Sequence, residues 1–135
     1  MKFEECLEEG NTVKVSADKN RARSLRSMAE DRLKYLESEK ITELNCNFIF
    51  EQYYSALIET IHSIALGRGY KILNHLCVTA FIIEILKRPK IGGKFDRFRK
   101  IRNNLVYYGR KVDYPVAKER ITEIKNTIEK MRKIT

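Results

Sequence analysis

A chain of 135 residues with 43% hydrophobic and 33% charged side chains, but only 6 Gly and 2 Pro, has the composition of an ordered, mostly helical protein, not of a collagen-like or low-complexity chain. No apolar run approaches the roughly 18 residues of a membrane span, and the acidic start "MKFEECLEEG" lacks the basic segment and apolar centre of a signal peptide, so a single cytoplasmic domain over residues 1–135, without membrane contact, is expected. The net charge is +9, and residues 87–111 alone hold ten basic groups against one acidic, which points to a polyanion or an acidic protein surface as partner.

The first dozen residues read as a short acidic helix or a loose end. Ser16 is the expected N-cap of a helix from Ala17 to about Lys40, because Ala22, Leu25, Ala29, Leu33 and Leu36 step by three and four. "ITELNCN" breaks the pattern. The spacing predicts a second helix from about Asn47 to Leu66, with Phe50, Tyr53, Leu57, Ile61 and Ile64 as its buried stripe. Gly67 or Gly69 then supplies a left-handed C-cap. Asn74 is placed to cap a third helix from His75 to about Lys87, stopped by Pro89. Its segment "CVTAFIIEIL" is apolar nearly all round, so it is central in the domain or lies in a subunit interface.

"KIGG" reads as a flexible joint before a fourth helix, Lys94 to Tyr108, with Phe95, Phe98, Ile101, Leu105 and Tyr108 on one stripe and Gly109 ending it. Asp113 or Tyr114 caps the last helix, with Pro115 at its first position and Ala117, Ile121, Ile124, Ile128 and Met131 facing inward. The fold class expected is all-α, an up-and-down bundle of four to five helices. Cys6, Cys46 and Cys77 are widely spaced and odd in number, which suits a reducing cytosol; no metal site and no cofactor are expected.

The fourth helix carries Arg102-Asn103-Asn104 in its second half, where Asn is a poor helix residue. Helical spacing brings Asn103 beside Tyr107 and lets Tyr107 and Tyr108 flank the face of Arg102. A guanidinium grips a phosphate bidentately, an amide orients it, and phenol rings stack on bases or donate hydrogen bonds. Arg97, Arg99, Lys100, Arg110 and Lys111 are the expected nucleic-acid contacts around this group. The alternative is structural: Arg102 pairs with Glu51, Glu59 or Glu84 on a neighbouring helix. His62 and His75 read as structural hydrogen-bonders, with His75 alternatively approaching the cleft.

"RNNLVYYG" after the basic, aromatic "FDRFRKI", together with "FEQYYSALIETIHSIALGRGYKILNH", resembles the HEPN superfamily over roughly residues 17–135. The family's motif is Arg, a polar residue such as Asn, and a His after four to six intervening residues. Arg102 and Asn103 match, but positions 107, 108 and 109 are Tyr107, Tyr108 and Gly109. The resemblance implies a homodimer whose motifs meet at a phosphate-holding cleft for RNA or a nucleotide, with Arg102, Asn103, Tyr107 and Tyr108 at the catalytic positions. It also implies a minimal nucleotidyltransferase as partner, in a toxin–antitoxin-type pair. Imidazole moves protons near neutrality, whereas a phenol with a pKa of about 10 does not. The expectation is therefore a nucleic-acid- or nucleotide-associated protein with weakened catalysis. The alternatives are an active metal-independent ribonuclease toxin using Tyr107, Tyr108 or His75, and a basic helical adaptor for an acidic protein surface.

Overall fold

The computed structural model describes residues 1–134. Its helices are α1 (Phe3–Glu8), α2 (Lys19–Glu37), α3 (Cys46–Gly67), α4 (His75–Ala80, passing into a π-helical turn Phe81–Ile85), α5 (Pro89–Tyr108) and α6 (Tyr114–Arg132). An all-α bundle is what forms. To it is added a two-stranded antiparallel sheet, β1 (Thr12–Lys14) and β2 (Tyr70–Ile72), in register Thr12↔Ile72 and Lys14↔Tyr70. Three-residue strands are too short to leave a periodic signal in the sequence.

That sheet moves the start of α2. The Val15 N–H donates to the Gly69 carbonyl at 2.9 Å and the Asp18 N–H to Leu66 at 3.1 Å, so the chain stays extended past Ser16. Asp18, not Ser16, is the cap, its carboxylate accepting from the Arg21 N–H at 3.0 Å. Gly69 is the left-handed residue, at φ +89°, and a Cβ there would stand 2.9 Å from the Val15 carbonyl oxygen.

The same contacts tie the start of α2 to the end of α3 and make the two antiparallel. Ring pairs Phe50–Phe98 (6.2 Å) and Tyr54–Phe95 (5.7 Å) run α5 antiparallel to α3. The Asn47 side chain accepts from the Val112 N–H at 2.9 Å and donates to its carbonyl at 3.1 Å, pinning the α5–α6 connection to the start of α3. Consequently α2, α3, α5 and α6 alternate in direction, and α6 lies parallel against α3, with Lys125 over the Tyr53 ring. Buried side chains of α3, α4, α5 and α6 join in one hydrophobic cluster around α3. Every stripe residue expected on α3 and α6 is buried, whereas on α5 the buried stripe is Phe95 and Phe98, Ile101 and Leu105 are half-buried, and Tyr108 is 70% exposed.

Two expectations are corrected around α4. "KIGG" is not a joint: α5 begins at Pro89, the residue with no N–H to lose, and runs through Gly92 and Gly93. Gly92 is buried because Ile83 of the π-helical turn occupies the space a Cβ would need, so close packing outweighs the poor helix propensity of glycine. Nor are the cysteines three separate thiols. Cys6 and Cys77 form a disulfide with Cα atoms 5.9 Å apart, only Cys46 being a free, buried thiol, and cysteine usage no longer indicates a reducing compartment. The bridge fastens α1 over α4, where Phe3 meets Tyr70 edge-on at 5.1 Å and its N–H donates to Glu84 at 2.7 Å. Cys77, Val78, Ala80, Phe81 and Ile82 of α4 and its π-helical turn are thus buried within the monomer, while Ile83 stays partly exposed. Among the described residues no helix is long and apolar enough to cross a membrane. In α6, Pro115 follows Tyr114 and sits second in the helix, not first.

Candidate functional site

Arg102 sits on α5 opposite the middle of α3. Its guanidinium carbon lies 5.7 Å from the Tyr54 ring centroid and 5.8 Å from that of Tyr107, and its Nη1 reaches the Asn103 amide oxygen only at 3.5 Å. No carboxylate among the described residues pairs with it. Glu59 is taken by Arg32, at 2.8 Å, Glu84 accepts from the Phe3 N–H, and Glu51 lines a separate cleft with Phe48 and Lys111. The structural alternative for Arg102, an ion pair with a neighbouring helix, is therefore not present.

Arg102 instead opens into a cleft of about 390 Å³ between the start of α4 and α5. Asn74 and His75 line one wall; Arg99, Arg102, Asn103 and Tyr107 line the other, and among the described residues no carboxylate lines it. Asn74 serves as the α4 cap, accepting from the Leu76 N–H at 2.8 Å, which fixes the first turn and with it His75. A neighbouring hollow of about 260 Å³ shares Arg102 and His75 and adds Tyr54, Arg32 and Glu59.

His75 Nδ1 is hydrogen-bonded to the Tyr54 hydroxyl at 2.9 Å. Burial, then the charge of Arg102, and after it His62 and Arg99, push the imidazole down to about 4, so at neutral pH it is uncharged. Burial pushes the Tyr54 phenol above its ordinary range although Arg102 and Arg99 oppose it, so it remains protonated. Behind them stands His62, its ring 6.5 Å from His75 and its Nε2 buried without a hydrogen-bond partner. Burial lowers its pKa too, against the opposing charge of Glu59.

Arg99 is held by Asp96, with Nε at 3.0 Å and Nη2 at 2.8 Å from one carboxylate oxygen; Lys100 reaches the other at 3.3 Å. Burial alone would raise the Asp96 pKa, but the hydrogen bonds and charges of Arg99 and Lys100 outweigh it and hold it below the usual range. One carboxylate thus orients two cations and leaves a net positive charge at the rim.

Of the residues singled out by sequence, Arg99, Arg102, Asn103 and Tyr107 come together in the cleft. Tyr108 does not; its ring faces Arg110 at 5.4 Å. Arg97 turns toward Glu123 of α6 at 4.0 Å, and Lys111 lies with Glu43 and Glu51 in another hollow. Tyr54 joins the site unannounced, since nothing in local spacing links it to a residue 48 positions later. The pattern of two guanidiniums, a neutral imidazole and an amide is a set of donors for an oxyanion. The 67% exposed ring of Tyr107 adds a stacking surface beside them. No group of three His, Cys, Asp or Glu is placed to hold a metal ion among the described residues. No family model, curated protein or solved structure matches this chain.

Proposed function

We propose that this protein binds RNA, holding a backbone phosphate on Arg102 and Arg99 with Asn103 and His75 as orienting donors, and that it does so as a HEPN-like protein with weakened catalysis. The observation that carries the reading is Arg102 itself: a half-buried guanidinium, fixed between two phenol rings in a carboxylate-free cleft and without an ion-pair partner among the described residues. A positive charge in that setting is complementary to an anion brought from outside. The ten basic groups of residues 87–111 would extend the contact along the polyanion.

A ribonuclease reading has one observation in its favour, the presence of His75 on the same cleft as Arg102. An imidazole at about 4 is a weak base at neutral pH, so binding with cleavage near background is the expected behaviour. A homodimer belongs to the same proposal. Leu44, Phe48, Val106, Tyr107 and Tyr108 are exposed where the start of α3 meets the end of α5, and a second copy seated there would bring two Arg102 clefts close together. A nucleotidyltransferase partner and a cytoplasmic setting complete the reading; in that setting the Cys6–Cys77 bridge is shielded by full burial of both residues. The test is fluorescence anisotropy of a single-stranded RNA oligomer with wild type and Arg102→Ala over a range of salt. Loss of affinity in the variant supports the proposal, and unchanged affinity refutes it.

A further inference from the structure

A second and wider cleft, of about 450 Å³, opens between the first turns of α2 and the end of α3 and shares no lining residue with the Arg102 cleft. Lys19, Arg23 and Arg26 follow one another at spacings of four and three, so one face of α2 directs three cations to it. Arg68 lies on the rim at the end of α3, and among the described residues no carboxylate lines the space. Among the described residues, Lys19 and Arg26 take part in no ion pair, and the Arg23 guanidinium is hydrogen-bonded to the neutral amide of Asn20. The Nε of Arg26 is shut away from solvent with no hydrogen-bond acceptor. A buried donor left without an acceptor is costly, and turning the Arg26 side chain toward an oxyanion in the cleft would satisfy it.

The floor has a different character. It is formed by Ala22, Ile64 and Ile134, with Gly67 leaving room, and it carries neither an aromatic ring nor an amide side chain with which to read a base. The volume is that of a small-molecule site. We infer that this cleft binds a small anion with an aliphatic body, an alkyl phosphate or a fatty carboxylate, its headgroup on Arg26, Arg23 and Lys19 and its chain on the Ala22–Ile64–Ile134 floor. Both headgroups accept bidentate bonds from a guanidinium, and the aliphatic floor selects for the tail that inorganic anions lack.

Titration calorimetry on the full chain tests this with octyl phosphate, octanoate, inorganic phosphate and octanol as probes. One or both alkyl anions should bind at least about tenfold more tightly than inorganic phosphate or octanol, each tenfold step reflecting one lost component of the contact. The ratio of octyl phosphate to octanoate affinity identifies the headgroup. Arg26→Gln should weaken binding by about tenfold or more, from loss of one charge-assisted contact. Ala22→Asp, which puts a carboxylate on the floor at a half-exposed position, should abolish it, and the second variant decides if the first fails to fold. Neither should change RNA affinity. Four results overturn the inference: no binding by either alkyl anion at millimolar concentration, inorganic phosphate binding as tightly as octyl phosphate, binding unchanged in the variants, or displacement of octyl phosphate by RNA. The last would assign the cleft to the polyanion surface.

Discussion

Arg102→Ala separates a ligand-holding arginine from a structural one because the two roles predict opposite balances of stability and binding. In the folded protein the side chain has no carboxylate to leave behind, and its bond to Asn103 is at the 3.5 Å limit of a hydrogen bond. What truncation removes is two cation–π contacts, at 5.7 and 5.8 Å, worth about 0.5–1 kcal/mol each at a half-exposed position. The expected loss is therefore about 1–2 kcal/mol, or a Tm lower by roughly 3–10 °C for a domain of this size. A guanidinium–phosphate contact is worth about 1.5–3 kcal/mol, so RNA affinity should fall roughly 10- to 150-fold and the salt slope should flatten by about one phosphate. Thermal melts followed by circular dichroism and anisotropy titrations on the same preparations read both numbers. A variant destabilised by about 3–5 kcal/mol, the cost of breaking a buried ion pair, with RNA affinity unchanged would show that Arg-Asn-Asn is scaffolding and that the reasoning is wrong.

His75 should make the fold acid-sensitive: its pKa falls from an ordinary 6.5 to about 4 on folding, so between those values the unfolded chain binds the extra proton and stability drops as pH falls from 6.5 to 4. Partial exposure reduces the full shift to about 1–2 kcal/mol, and His75→Gln should flatten that part of a urea-denaturation series against pH. In Arg102→Ala the His75 resonance should titrate at higher pH, since one of the charges depressing it is gone. Removing the Cys6–Cys77 bridge, which closes a separation of 71 residues, by Cys6→Ser with Cys77→Ser should lower stability by up to about 4 kcal/mol, and α1 amides should exchange first; an unchanged melt in the double variant would mean the bridge adds nothing. Gly92→Ala should cost about 1–3 kcal/mol through overlap with Ile83, against the gain that helix propensity alone would give, and a stabilised variant would contradict the tight α4–α5 contact.

The features legible from residue order lie within the reach of a few residues along the chain. The stripes Phe50–Tyr53–Leu57–Ile61–Ile64 and Ala117–Ile121–Ile124–Ile128–Met131 identify α3 and α6 because residues three and four apart must share a helix face. Asn74 and Gly109 mark helix ends because a cap is satisfied or relaxed by its own neighbours. The Arg102–Asn103–Tyr107 group was legible for the same reason. The remaining features arise from contacts between segments far apart in the chain. The β1–β2 pairing displaced the start of α2, the approach of Ile83 turned "KIGG" from a joint into helix, and the packing of α1 on α4 joined Cys6 to Cys77. Likewise, Tyr54 and His75 meet Arg102 through the placement of α3 and α4 against α5. Residues 1–43 sum to a charge of −1, which conceals the cations that α2 gathers along one face toward the end of α3. Periodicity specifies which face a side chain occupies, but the neighbour that face meets depends on how helices far apart in the chain pack, and that is set by the core as a whole.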